Sequence, residues 1–146
     1  MRKYIFLAAA VLLLTSCESS LYYWGGTEGR GTTRYENLAY NNYDKQSPES
    51  LCELVCLYED MVSNPGGTRG VVPPGIYAEY GFLLLQPATT EAFIGHATAR
   101  QRRMFKSGDF GALFAQRGVE MLEKEMELYP ESVKFIKPLL ERIKGK

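Results

Sequence analysis

Three cysteines and a single histidine hold most of the covalent and metal chemistry open to this 146-residue chain. Cys52 and Cys56 stand four residues apart. On a helix that spacing separates the Cβ atoms by about 5–6 Å, whereas a disulfide wants about 3.5–4.5 Å, so an internal bridge would distort the helix. A structural zinc site needs a full set of ligands, and His96 is the only imidazole that can join the two thiols. The pair therefore reads as two small buried hydrophobes. Any Ser/His/Asp or Cys/His catalytic arrangement must also use His96, which lies inside a helical pattern with no nucleophile motif beside it. The expectation is no catalytic residue, no metal and no cofactor.

The third cysteine has a different setting. Arg2-Lys3 precede a mostly apolar run from Tyr4 to Leu14, which leads into Leu14-Thr15-Ser16-Cys17. A bilayer span takes about 20 residues, so a shorter apolar run after a basic start reads as a cleavable export signal. Its end resembles a bacterial lipobox. That resemblance implies diacylation of the Cys17 thiol, cleavage between Ser16 and Cys17, and acylation of the new amino group. One acyl chain anchors only marginally, while two or more hold stably, each buried methylene contributing about 0.8 kcal/mol. The expected division is a lipoprotein signal peptide at 1–16, a lipidated flexible aromatic leader at 17–33 and a helical domain at 34–146.

Removal of the signal leaves roughly 130 residues, enough for one core. Arg2 and Lys3 leave with it, which takes the balance from 17 cations against 17 anions to 15 against 17, a net charge of −2. A nucleic-acid partner would call for a basic patch on a strongly basic domain. None is expected here.

Aromatic residues crowd the start of that mature chain. Tyr22, Tyr23, Trp24, Tyr35, Tyr40 and Tyr43 fall within 22 residues, and such side chains join a large apolar area to a polar tip that suits interfaces and membrane borders. They either pack back on the helical domain or dock a partner or the bilayer surface. Tyr22, Tyr23 and Trp24 are the candidate interface residues, and a fully extended chain from Cys17 keeps them within about 25 Å of the lipid. Arg100, Arg102, Arg103 and Lys106 form a cationic cluster that reads as a solvated helix end, where each cation gains about 0.3–1 kcal/mol from the dipole. Anionic headgroups or an acidic partner are the other reading. Glu120 and Lys124 have i, i+4 spacing, and Glu123 and Glu127 extend an exposed face.

Helical periods must position these groups. Tyr35, Leu38, Ala39, Asn42 and Tyr43 mark a first short helix between Thr33 and Gln46. A second begins with Ser47 as cap and Pro48 in the first turn, carries Leu51, Leu54, Val55, Tyr58, Met61 and Val62, and stops at Asn64-Pro65-Gly66-Gly67. Pro73-Pro74-Gly75 opens a third through Ile76, Tyr77, Tyr80, Leu83 and Leu84, which Pro87 ends. Gly81 inside it costs about 1 kcal/mol relative to alanine, which a close neighbouring helix would explain. A fourth is expected from Thr90-Glu91 to Lys106. The fifth, capped by Asp109, has one broad side of Phe110, Leu113, Phe114, Arg117, Met121, Leu122, Glu125 and Leu128. A last helix starts near Glu131-Ser132 and is bent by Pro138. No period-two strand pattern is present. The fold class is all-α: an antiparallel helix bundle or short tetratricopeptide-like helical array of about five or six helices.

Two blocks carry a family resemblance. Pro73-Pro74-Gly75-Ile76-Tyr77-Ala78-Glu79-Tyr80-Gly81-Phe82-Leu83-Leu84 and Glu123-Lys124-Glu125-Met126-Glu127-Leu128-Tyr129-Pro130-Glu131-Ser132, with the Tyr-x-Trp element Tyr22-Tyr23-Trp24, resemble an uncharacterised family of small bacterial envelope lipoproteins. Members are often encoded beside lipoproteins similar to the curli secretion channel. The resemblance implies a non-enzymatic accessory at the outer membrane, held by its lipid on the periplasmic side, with an envelope protein as partner; the inner membrane and the cell surface stay open. The family brings no catalytic residues. A periplasmic small-ligand or peptidoglycan-binding module is the alternative. Residues 87–116 separate the two blocks more widely than in that family, as an inserted hairpin would.

Overall fold

Helix N-caps written into the sequence set most of the architecture. In the computed structural model, which describes residues 20–29 and 31–145, Thr33 and Glu36 form a reciprocal capping box that starts α1, Arg34–Lys45. Ser47 caps α2, Pro48–Ser63, with Pro48 in the first turn, where its missing N–H is no loss. Asp109 caps α6, Phe110–Leu128, by accepting from the amide of Ala112. Between them lie α3, Ile76–Leu84, α4, Pro87–His96, and α5, Ala99–Phe105. A 3₁₀ turn, Pro130–Ser132, leads into α7, Val133–Lys144. The only sheet among the described residues is a two-stranded antiparallel pair, β1, Thr27–Glu28, and β2, Thr32–Thr33, ahead of α1. The protein is all-α, and Cys17 with the segment expected to be an export signal lies outside the described residues.

Helix α2 is the centre of the packing. Cys52, Leu54, Val55, Cys56, Leu57, Tyr58, Met61 and Val62 are all buried on it, and α1, α3, α4 and α5 each pack against it. A helix apolar on nearly every side belongs inside a domain. The sequence stripe of α2 omitted Cys52, Cys56 and Leu57, which widen its buried side while Glu49, Glu53 and Ser63 stay exposed. Both thiols are free and buried, as two small hydrophobes would be.

The most extensive helix pair is α3 with α6. A Cβ at Gly81 would stand 2.8 Å from the Gly118 carbonyl oxygen and 2.9 Å from Leu122 Cγ. One at Gly118 would stand 2.6 Å from Leu85 Cγ. The two glycines thus let the helices touch through their backbones, which accounts for Gly81 at a helix-interior position. Phe93 meets Phe105, Phe110 and Phe114 edge-on, each with ring centroids 5.1 Å apart, a favoured aromatic geometry. These rings come from residues 87–116, so that segment builds the core and is no appended hairpin.

Three boundaries differ from the sequence reading. The single helix expected over Thr90–Lys106 is two, because Ala97 is extended and Thr98 with Gln101 forms a second capping box that starts α5. Pro87 opens α4 at its first turn, where proline fits best. Pro73 and Pro74 precede α3 without entering it; Gly75, at φ 91°, is the residue before its first turn. Pro138 lies inside α7, which continues to Lys144.

Candidate functional site: the docked aromatic leader

Residues 20–26 lie down on the domain through their backbone. The carbonyls of Ser20 and Leu21 accept from the amides of Thr68 and Arg69 at 3.0 and 3.1 Å. Farther along, the carbonyls of Trp24 and Gly26 accept from the amides of Tyr35 and Arg34 at 3.2 and 2.9 Å, which ties the leader to the start of α1. The Asn64-Pro65-Gly66-Gly67 run does more than stop α2. A Cβ on Gly67 would meet the Leu21 carbonyl oxygen at 2.6 Å. Its φ of 77° suits glycine in any case. The helix stop is also the seat of the leader.

From that seat an aromatic ladder runs into the core. Ring centroids lie 6.5 Å apart for Tyr22 and Trp24, 5.2 Å for Trp24 and Tyr35, 6.1 Å for Tyr35 and Tyr58, and 5.6 Å for Tyr58 and Tyr80. Carboxylates hold the phenols along it. Tyr23 donates to Asp60 Oδ2 at 3.0 Å, and Tyr35 and Tyr58 both donate to Glu79 Oε2 at 2.7 Å. Tyr80 donates to Glu59 Oε2 at 2.7 Å, while Arg117 Nη2 donates to Glu59 Oε1 at 2.9 Å. Hydrogen bonds to ionised groups contribute more than neutral ones, about 1.5–3 kcal/mol against about 1.

Burial, reinforced by the Glu79 carboxylate, pushes the Tyr35 phenol up to about 12. The same two causes raise Tyr58, and burial with Glu59 raises Tyr80. All three phenols therefore stay protonated donors at neutral pH. Through Glu79 they tie α1 and α2 to α3, and through Glu59 they tie α3 back to α2.

Compared with protein-family models, curated proteins and solved structures, the chain has no match.

The structure divides the residues singled out from sequence. Tyr23 and Trp24 are half-buried against the main core. Tyr22 is half-buried under Arg69, whose guanidinium carbon lies 5.6 Å from the ring centroid and whose Nη1 donates to the phenol at 2.9 Å. Tyr40 and Tyr43, three apart on α1, stay exposed at 69% and 78%. His96 stands at the surface with Nδ1 2.8 Å from Glu49 Oε1.

Cys52 donates to the Ala92 carbonyl at 3.5 Å, and burial pushes its thiol up to about 11 and that of Cys56 up to about 12. A thiol held protonated is a poor nucleophile.

The cationic cluster also splits. Arg102 is a clip across the α4–α5 break: its guanidinium donates to the carbonyls of Ala97, at 3.0 Å, and Ile94, and lies over Phe110. Arg100, Arg103 and Lys106 remain exposed. Glu120 meets Gln116 and Arg117 in place of Lys124, whose ammonium lies 5.6 Å from the centroid of Tyr77. Among the described residues, no helix is long and apolar enough to cross a membrane, and no group of three His, Cys, Asp or Glu side chains is arranged to hold a metal ion.

Sequence reasoning missed Glu59, Asp60, Glu79 and Arg69 as partners of the aromatic leader and its ladder. Arg117 carried a usable signal. It is a cation within the apolar side of its helix, so a buried anion had to face it.

Proposed function

We propose that this protein is a lipid-anchored interaction module of the bacterial envelope, with no catalytic role, tethered through Cys17 on the periplasmic side of the outer membrane. In this reading it is an accessory of an envelope protein such as a curli-secretion-channel-like lipoprotein. The observation that carries the interaction half is the exposed tyrosine pair Tyr40 and Tyr43 on the outer face of α1. Tyrosines are enriched among the residues that dominate binding energies, because one ring gives a large contact area at small entropic cost. Tyr23, Trp24 and Tyr35 pack on the domain and Tyr22 is half-buried under Arg69, which leaves this pair as the most exposed rings of the aromatic run for a partner. The lipobox supports the anchor half.

The test has two parts. Cys17→Ser should release the protein from the membrane fraction and abolish incorporation of labelled fatty acid; a variant that stays in the membrane and still takes up label overturns the anchor. Purification of the lipidated protein with mass spectrometry should recover one envelope protein that the Tyr40→Ala/Tyr43→Ala variant loses. A partner retained by that variant overturns the assignment of the pair.

One feature favours a second reading, a saccharide- or peptidoglycan-binding module. A shallow groove beside β2 and α1 is lined by Gly31, Thr32, Glu36, Asn37 and Tyr40, which offers an aromatic face beside an amide and a carboxylate. Recovery of bound sugar or muropeptide with no protein partner would select it.

A further inference from the structure

We propose that the pole formed by Leu21, Tyr22 and loop 66–70 is the face on which the domain rests against its own bilayer, an inference that rests on the lipid-anchor reading above. The leader offers no slack beyond Ser20. Its backbone is bonded to Thr68 and Arg69 from Ser20 onward, and it crosses Gly67 too closely for a side chain there. Three residue steps join Ser20 to Cys17. Fully extended, they reach about 10 Å. An acylated Cys17 sulfur sits at the headgroup border, so this pole lies within that distance of it.

The groups at the pole suit that border. Leu21 is 58% exposed and projects an apolar side chain where the chain heads for the lipid. Tyr22 presents an aromatic body with a polar tip, and the exposed Arg69 places a guanidinium over it. An aliphatic side chain, an aromatic amphiphile and a cation are the elements of interfacial seating, the cation answering lipid phosphates.

Orientation follows from the helices. Helix α2 has 16 residues and ends at the 64–67 turn. At the rise of an α-helix it extends about 24 Å away from that turn. Helix α1 starts beside the leader and returns to the start of α2, where Ser50 Oγ donates to Asn42 Oδ1 at 3.2 Å. Tyr43 thus stands at the pole away from the bilayer.

The experiment uses the full lipidated protein in vesicles of phosphatidylethanolamine and phosphatidylglycerol, with a nitroxide on Thr68→Cys, Arg69→Cys or Tyr43→Cys. Acylated Cys17 and buried Cys52 and Cys56 leave the introduced thiol as the labelled one. On reconstitution, the labels at 68 and 69 should lose collisions with a water-soluble nickel chelate, while the label at 43 keeps them. Thr68→Cys leaves Arg69 in place, so a loss of binding caused by removing that cation is recognised. Protection at 43, or no protection at 68 and 69 in a protein whose intact mass includes the acyl chains, overturns the proposal. Protection at 68 already present without vesicles overturns it in favour of a protein contact. A mature chain whose mass carries no acyl group overturns the anchor reading itself.

Discussion

Glu125 shows how much a single buried group can set. It is 3% exposed on α6. Its Oε1 accepts from the Gly75 amide at 2.8 Å, so it serves as the N-terminal cap that Gly75 cannot supply to α3. Its Oε2 has no hydrogen-bond partner among the described residues. Burial raises the Glu125 carboxyl above its usual value near 4.5, opposed by the amides at the start of α3. A carboxyl so raised binds more protons in the folded state than in the unfolded one. Stability from its neutral form is therefore complete below about pH 4.5 and is lost as pH climbs through the folded value. Thermal unfolding followed across that window should show the wild type losing stability more steeply than Glu125→Gln, which keeps an acceptor for Gly75 and has no proton to lose. Equal slopes would refute the assignment. The sequence held half of this: Glu125 and Arg117 both interrupt the apolar side of α6. Their partners, Gly75 and Glu59, lie 50 and 58 residues away, and no local pattern points to them.

Elements were legible where the chain carries its own punctuation. Ser47-Pro48 and Asp109 start helices where their side chains can reach orphan amides, and the structure starts helices there. The break after His96 was hidden because Phe93, Ile94, Ala97, Met104 and Phe105 keep a helical period across it, and a lone glycine such as Gly95 is tolerated inside a helical pattern. The local signal was Thr98-x-x-Gln101, a capping box inside an apolar pattern. Glycines are ambiguous in the same way, since contact with a neighbour decides what one does. Gly81→Ala should destabilise the protein by about 1–3 kcal/mol, because its Cβ would strike the backbone of Gly118 and neither helix can retreat without moving the other. Gly95→Ala should stabilise it by about 0.4–1 kcal/mol. That residue is near the end of α4, with nothing within 4 Å of the new carbon. Urea unfolding of both variants checks the pair. Equal effects would mean that α3 and α6 do not touch through their backbones.

At the scale of the whole molecule, the tyrosine–carboxylate wiring is what joins the leader, α1, α2 and α3 into one cooperative unit. The crowd of aromatics was plain in the sequence. Its division was not, because whether a tyrosine packs or projects depends on which helix it faces. Tyr35 turns toward Tyr58 and Glu79, while Tyr40 and Tyr43, on the same helix, face water. The wiring has a pH consequence. Tyr35, Tyr58 and Tyr80 all titrate above their ordinary value of 10 when folded, because burial and the neighbouring carboxylates oppose a phenolate. An unfolded chain ionises these phenols near pH 10 and the folded one does not. The folded state then holds more protons, so this contribution is complete below pH 10 and drains away as pH rises beyond it. Phenolate absorbance from these three residues should therefore arrive in a steep step that coincides with loss of helical circular dichroism. In Tyr58→Phe/Tyr80→Phe the stability should decline less steeply with alkaline pH. The variant also loses bonds to Glu79 and Glu59, so its stability near neutrality should be lower by a few kcal/mol. If absorbance rises smoothly, well before the helices melt, these phenols are open to solvent and the ladder does not bind leader to core.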